Sequence, residues 1–487
     1  MRRCEQYARY TLPKVCLPEG YDQNSDELSH DDQSVGAQSV NHLANKIMLA
    51  LFAPSRPFFR LDADASTEAE MVQLGVPTEK VVEQLAKAEK DAVKALEKLA
   101  IRPKLYEAIK HLIIVGNVLL CLEDEAQARI IGLKKYCVRR SMSGELLELL
   151  IADKVLFDEL DPTVQAALLS HAKYQGDHQV VLYKWVRRNA VGDYEMEQWV
   201  DAHKLPKAFS GKWPAGKLPY RVLTWDLSDD AHYGTGLVED YRADFGGLST
   251  LSKSQIIGAV LSSEFRWLVN PAGLTKPEDF EQSENGAAIP GVKGDVELIN
   301  NSKTGDLQVV MAMAGEYVTR IGRGFLLGSS QTRNAERVTA EEIRMVANEL
   351  ETALGGAYSR LAADFQLPLA YWLMSIIKLG VDGSGFTPSI VTGLEALSRT
   401  GDLEELKLWL GDMAAVSALP PGLQSVLKMK AIASALAAPR RISVDDFMKS
   451  DEQITAEQEQ ARQAEAQTAA MNAGVNAAAK DAMQPTE

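Results

Sequence analysis

The sequence has few cysteines and histidines, and their positions do not indicate a metal or redox centre. The four cysteines are Cys4, Cys16, Cys121 and Cys137, with no CxxC pair and no tight cluster with histidine. The seven histidines are dispersed along the chain. His171 and His178 are more typical of surface side chains than of metal ligands. The sequence therefore predicts no metal, no cofactor and a reducing compartment.

A long apolar run is also missing. No uncharged apolar stretch reaches the roughly eighteen residues that a membrane-spanning helix needs, and Met1-Arg2-Arg3 leads into a polar segment rather than a signal-peptide core. We expect no membrane partner and no secretion by that route.

Positive charge is in deficit. Lys and Arg number 52 against 67 Asp and Glu, which gives a formal net charge of −15. This balance argues against a protein that holds nucleic acid through a broad basic surface. It leaves open a protein that must let nucleic acid pass without binding it tightly.

Enzyme motifs are either absent or incomplete. Gly211–Leu218 nearly matches a phosphate-binding loop, but Leu218 has no hydroxyl for Mg²⁺ and Pro219 disfavours the helix that should follow. Asp229, Asp230 and His232 precede a glycine turn, where turn and capping roles are much commoner than catalysis. The motifs therefore give little support to a catalytic site.

The strongest pattern in the chain begins at Arg337. Thr339 is the predicted N-cap of a helix that begins at Ala340, and apolar residues then recur at three- and four-residue steps. Gly355-Gly356 should mark a bend or a close backbone approach. Pro368 should end or kink the helix, after which an apolar run resumes.

The rest of the chain falls into regions that differ in their predicted secondary structure. Residues up to about 230 alternate predicted helices and strands, which indicates an α+β region, and longer helices follow over Leu237–Val269 and Val310–Phe325. Between those helices, Leu274–Asn301 is predicted to be a small exposed insertion with a strand at Val296–Ile299. The predicted elements in the first and last regions are helices at Val35–Leu51, Thr78–Ala100, Leu105–Val115, Ser389–Arg399, Leu403–Ser417 and Gln424–Ala437, and strands at Pro57–Leu61, Val118–Leu122, Ile130–Leu133, Tyr136–Arg139, Val180–Arg187, Tyr194–Val200 and Leu218–Asp226.

Several blocks, in order along nearly the whole chain, resemble the portal, or head-to-tail connecting, proteins of short-tailed bacteriophages. The blocks are Gln6–Pro13, Ser34–Ala37, Leu43–Phe52, Ala108–Leu120, Tyr233–Tyr241, Leu268–Gly273 and, above all, Arg337–Leu369. The resemblance implies a mixed α/β, helix-rich portal fold. Its expected parts are an α+β wing (1–235), stem helices (236–271 and 306–326), a clip (272–305), a tunnel loop (327–338), a long wing helix (339–379) and a helical crown with a low-complexity tail (380–487).

The resemblance also implies a function and partners. A dodecameric ring is expected at one capsid vertex of the virion, assembled in the host cytoplasm, through which double-stranded DNA is packaged and later ejected. Expected partners besides the ring itself are the terminase large subunit, tail adaptor and tail tube proteins, and capsid, scaffolding and internal core proteins. Because a portal performs no bond chemistry, the resemblance also implies that the protein is not an enzyme. From the residues alone, a motif-less α+β enzyme acting on nucleic acid remains the alternative.

Two sets of candidate residues follow. Arginines flank the polar loop that the family places around DNA, although a short basic run is usually only a solvated face. Apolar residues on the two stem helices are candidates for contact with neighbouring subunits. The channel candidates are Arg320, Arg323, Ser329, Ser330, Gln331, Arg333 and Arg337, and the interface candidates are Phe265, Tyr317 and Phe325.

Overall fold

The chain forms two compact units, residues Met1–Gly393 and Leu394–Glu487. The computed structural model describes residues 1–22, 24–53, 57–63, 78–123, 127–168, 178–263, 266–284, 286–299, 304–328, 340–377, 386–390, 407–416, 432–433 and 436. Within these ranges, no helix is long and apolar enough to cross a membrane. The structure is mixed α/β and rich in helix, as predicted.

The first unit begins with four helices, of which the last packs against the other three and against the buried strand Asn117–Cys121. Their bounds are Arg2–Tyr10, Val35–Leu51, Thr78–Lys98 and Ile101–Val115. In the second helix, Val40, Leu43 and Ile47 recur at helical spacing and are fully buried, which confirms the prediction. The fourth helix begins before the predicted Leu105 because Ala100, in the left-handed conformation, ends one helix and lets the next start at once.

Two antiparallel sheets complete this α+β region. The smaller has the strand order Tyr220–Thr224, Asn117–Cys121, Arg129–Ile131. The larger runs through Tyr136–Arg140, Leu146–Leu156, Gln179–Arg188, Tyr194–Val200 and His203–Lys204, and Gly211–Trp213 pairs with Tyr194–Val200. The predicted β-hairpin around Asn189–Asp193 is confirmed by the strand register Arg188↔Tyr194. The long strand Leu146–Leu156 was not predicted, and a short helix, Pro162–Leu168, follows it.

A glycine turn joins the α+β region to the longer helices. Asn117 is 2% exposed, and its side chain both donates to the Gly234 carbonyl (2.7 Å) and accepts from the Gly234 N–H (2.8 Å). A Cβ at Gly236 would lie 2.7 Å from the carbonyl oxygen of Ile113, so a side chain there would collide with the backbone. This turn fixes where the next helices leave the α+β region, residues 1–235, which we call the wing.

Those helices form an antiparallel pair, Arg242–Ser263 and Thr304–Gly324, which we call the helical hairpin. The short helix Leu237–Asp240 precedes it. The predicted helix to Val269 is wrong at its end, because Arg266–Val269 is a strand that pairs with Val296–Ile299. The strand predicted at Val296–Ile299 is thereby confirmed, and a short helix, Pro277–Glu281, lies between the two strands.

The next segment is helical but interrupted. The spine helix, as we call Ala340–Leu354, begins at the predicted residue. Gly355 then bends the chain with φ +51°, a conformation that favours glycine, and no atom of the described residues lies within 4 Å of a Cβ placed there, which fits the predicted bend. Helices Gly356–Leu361 and Leu367–Ile376 flank a π-helix, Ala362–Gln366. The wide π turn accommodates Pro368, which lacks an N–H and would crowd the preceding turn of a regular helix.

A separate two-stranded sheet joins the end of the first unit to its N-terminal part. Phe386–Ile390 pairs with Phe59–Ala63, so the helix predicted from Ser389 is wrong over its first two residues. In the second unit, residues 407–416 are helical, and Trp409 Nε1 donates to the Ala433 carbonyl at 3.1 Å. The remainder of the predicted Ser389–Arg399 helix, most of the predicted Gln424–Ala437 helix and the low-complexity tail lie outside the described residues.

Candidate subunit and channel interface

The two helices of the hairpin approach closely because glycines face bulky side chains. A Cβ at Gly247 would lie 2.9 Å from the Tyr317 ring, and one at Gly258 would lie 2.6 Å from Leu307. A Cβ at Gly324 would lie 2.2 Å from the Tyr241 ring. These contacts, together with buried side chains such as Leu248 and Ile321, set how closely the two helices approach each other.

The root of the hairpin, next to the wing, is an aromatic cluster. The ring of Phe325 packs edge-on against Tyr241 and Phe245, at centroid distances of 5.5 and 5.8 Å. Phe325 is 0% exposed in the single chain. This burial favours a role in the core of the single chain over the predicted subunit-interface role, which stays a prediction.

Tyr317 lies further along the hairpin and is half-buried. Its ring covers Gly247 on one side, and the guanidinium of Arg320 lies 4.6 Å from its centroid on another. This predicted interface residue thus already has partners within the chain, and its role toward a second copy stays a prediction. Phe265, the third interface candidate, lies outside the described residues.

Away from the root, the hairpin exposes aliphatic side chains on both helices. The larger apolar residues near the start of the first helix, such as Phe245 and Leu248, are buried, but those further along are not. Ile256 and Val260 belong to the apolar face that the sequence predicts for this helix and that neighbouring subunits are expected to cover, and each is more than half exposed in the single chain. The exposed apolar residues of the hairpin are Ile256, Ile257, Val260, Leu261, Val309, Met311, Met313 and Val318. An apolar surface of this kind is typical of a protein–protein contact.

The channel arginines differ from one another. Arg320 is paired within the chain, 3.3 Å from Asp244 and 4.0 Å from Glu316, which favours the solvated-face interpretation for this residue. Arg323 is exposed and has no ion-pair partner among the described residues. Ser329, Ser330, Gln331, Arg333 and Arg337 lie outside the described residues, so their placement in a channel remains a prediction.

The far end of the hairpin is acidic. Between residues 272 and 299 the sequence has six acidic residues and two lysines, a formal net charge of −4. One of the acids, Asp295, organises the local turn by accepting from the backbone N–H groups of Leu274 and Thr275 at 2.8 and 3.2 Å. Burial alone would raise the pKa of Asp295, but these hydrogen bonds outweigh it and lower the pKa.

The rejected catalytic motifs have structural roles where they are described. Gly211–Trp213 is an edge strand and Ala215–Lys217 a short 3₁₀ turn, so no helix follows to hold a phosphate. His232 Nδ1 accepts from the backbone N–H of Arg140 at 3.2 Å, and Asp230 has a turn conformation with φ +62°. Throughout the described ranges, no three His, Cys, Asp or Glu side chains converge as metal ligands would.

Comparison with known proteins places these features in a family. The sequence profile described as "Bacteriophage head to tail connecting protein" matches residues 1–448. The chain is 32% identical to the portal protein of Enterobacteria phage SP6, over 99% of this chain and 93% of that protein. It is 31% identical to the portal protein of Pseudomonas phage phiKMV (96% and 93%) and 30% identical to that of Escherichia phage T7 (85% and 79%).

One solved structure aligns more remotely. A chain from the neck of an empty gene transfer agent particle covers 81% of this chain, and 90% of that chain is covered in turn, at 15% identity and a TM-score of 0.38. The family assignment therefore rests on the sequence relatives.

Proposed function

The chain belongs to the family of bacteriophage head-to-tail connecting proteins, and from this premise we propose that it forms a dodecameric ring at one capsid vertex. The ring would serve as the conduit for DNA packaging, the platform for the short tail and the exit route of the genome. Its proposed partners are the terminase large subunit, tail adaptor and tail tube proteins, and capsid, scaffolding and internal core proteins. The virion vertex, reached by assembly in the host cytoplasm, is the proposed location.

The observation that carries this proposal is the exposed apolar surface of the hairpin. In a cyclic ring each subunit contacts two neighbours through different surfaces, so one element needs apolar residues on more than one side. The hairpin has them on both helices: Ile257 is 49% exposed and Met311 is 63% exposed. Adjacent hairpins packed side by side would cover these residues and form a continuous tube.

The charge of the chain suits a passage rather than a binding surface. At −15 per subunit, a ring would repel DNA over most of its surface and so oppose static binding. A single exposed arginine at one level, repeated around the ring, would form a belt of positive charge that can meet phosphates at any rotational setting. Of the two described channel candidates, Arg323 fits that role better than Arg320, because Arg323 is exposed and has no ion-pair partner among the described residues.

The assembly proposal is tested by Ile257→Asp and Met311→Asp. Both side chains are exposed in the single chain, so each variant should fold normally and lose ring formation, because a carboxylate would be buried between hairpins. Val191→Asp, at a wing loop residue that is 86% exposed, is the matched control and should assemble as the unmodified chain does. Native mass spectrometry measures the assembly and circular dichroism the folding. Full rings from both hairpin variants would contradict the proposed interface.

A further inference from the structure

The second helix of the hairpin ends in an unusual turn. Leu326 is in the left-handed conformation, with φ +58°, at a position that helices usually give to glycine. Backbone bonds from Leu326 N–H to Arg323 and from Leu327 N–H to Gly322, at 3.2 and 2.7 Å, close the turn. A leucine in this conformation costs about 1 kcal/mol or more, so surrounding contacts must hold it there.

Two side chains of the helix Val35–Leu51 hold the carbonyl of Leu326. Lys46 Nζ donates to it at 3.3 Å and His42 Nε2 at 3.0 Å. Because a carbonyl only accepts, the Nε2 atom of His42 carries the hydrogen. Burial, and then the charge of Lys46, lower the pKa of His42, so the ring is neutral near pH 7.

The same ammonium group reaches the spine helix. Lys46 Nζ lies 2.9 Å from Glu349 Oε2, and the lysine side chain is only 1% exposed. A buried ammonium cannot withdraw from its partners without losing their compensation for its desolvation. The end of the hairpin and the spine helix are therefore tied to one group, although they lie on opposite sides of residues 329–339 in the chain.

We propose that Lys46 is a positioning residue that holds the end of the hairpin and the spine helix in a fixed mutual arrangement. Any movement of the hairpin end must then either carry Glu349 with it or break a contact of the buried lysine. One consequence rests on the proposed function. If the hairpins line a DNA channel, Lys46 sets the position of the channel wall relative to the wing.

The test uses three variants that separate the contacts. Lys46→Met removes the contacts of the ammonium group with Leu326 and Glu349 while keeping the length of the side chain, and it leaves the weaker, neutral His42 bond to Leu326 in place. Glu349→Gln removes the charge on the spine helix and leaves the bond to Leu326. The double variant Lys46→Met/Glu349→Gln leaves no uncompensated buried charge. Arg129→Met, which breaks a pair between Arg129 and the buried Asp153 in the wing, is the matched control.

Hydrogen exchange measured by mass spectrometry gives the direct readout. Lys46→Met should speed exchange of the Leu326 and Leu327 amides and of the spine helix by about tenfold or more. Glu349→Gln should affect only the spine helix, and Arg129→Met neither segment. Unchanged exchange in Lys46→Met, or in the double variant should the single one not fold, would overturn the proposal.

A second readout separates positioning from mere stabilisation. The double variant should recover most of the thermal stability, because both unpaired charges are gone. Its hydrogen exchange should nevertheless stay fast, and it should package less DNA with purified terminase and proheads. If stability, exchange and packaging all recover together, Lys46 is only a structural residue and the proposal is wrong. If the unmodified chain forms no ring, the proposed function fails, while exchange on the unassembled chain still decides the role of Lys46.

Discussion

The buried side-chain amide of Asn117 holds the turn that connects the wing to the helical hairpin. Asn117 saturates its side chain by donating to the carbonyls of Val115 and Gly234 and accepting from the Gly234 N–H. No other side chain of similar size offers a donor and an acceptor in this arrangement. The turn at Gly234 thus depends on one residue that lies 117 positions earlier in the chain.

We predict that Asn117→Leu destabilises the first unit by about 2 to 4 kcal/mol, because the backbone groups of Gly234 stay buried without partners. The matched control is Asn189→Ala. Asn189 also accepts two backbone N–H bonds, from Val191 and Asp193, but in a wing loop where water can replace it, so the loss should be about 1 kcal/mol or less. Urea denaturation at one fixed protein concentration measures both. Equal losses of unfolding free energy in the two variants would show that burial of the Gly234 turn contributes nothing to stability.

At the scale of elements, glycines set the spacing of the hairpin. Gly324 faces the Tyr241 ring, whereas Gly315, in the same helix, has nothing within 4 Å of a Cβ. Gly324→Ala should therefore force the helices apart and cost about 1 to 3 kcal/mol. Gly315→Ala should stabilise the helix by up to about 1 kcal/mol, since alanine is the better helix former. Thermal unfolding of the two variants compares them directly, and a loss in both would mean that the helices do not meet at Gly324.

Elements with local signals could be predicted from the sequence, and elements formed by distant pairing could not. The spine helix begins at Ala340 as its capping pattern indicates, and the hairpin strands around Asn189 follow from alternation and a turn. Leu146–Leu156 is rich in leucine without a period of two, so its strand character comes from the neighbouring strands. Arg266–Val269 is likewise a strand only because Val296–Ile299 lies beside it.

The same distinction applies to the candidate site. The apolar residues of the first hairpin helix could be recognised from the sequence as candidates for contact with neighbouring subunits, but a sequence cannot show that bulky side chains of the partner segments would lie against its glycines. Lys46 was missed for a similar reason, because its partners Leu326 and Glu349 are 280 and 303 residues away. On its own helix Lys46 has only the appearance of an ordinary polar residue, and no local pattern marks it as buried.

For the whole molecule, the proposed function requires a balance between repulsion and guidance of DNA. On that proposal, the acidic far end of the hairpin and the acidic chain as a whole would keep DNA from adhering. Arg320 is neutralised by Asp244, so Arg323 is the one of the two described channel candidates that is left to guide phosphates. Positive charge on the hairpin is therefore sparse, and removing one arginine per subunit should matter.

We predict that Arg323→Glu leaves the ring intact, because the exposed side chain contributes little to folding, but lowers DNA packaging or retention with purified terminase and proheads. The defect should grow as ionic strength falls, since weaker screening extends the repulsion between the new carboxylates and phosphates. Lys207→Glu, an exposed wing residue with the same charge change, is the matched control and should package normally at every salt concentration. If both variants package alike, net charge rather than position governs passage. If Arg323→Glu packages as the unmodified chain does, Arg323 lies outside the channel and belongs to a solvated face, as Arg320 does.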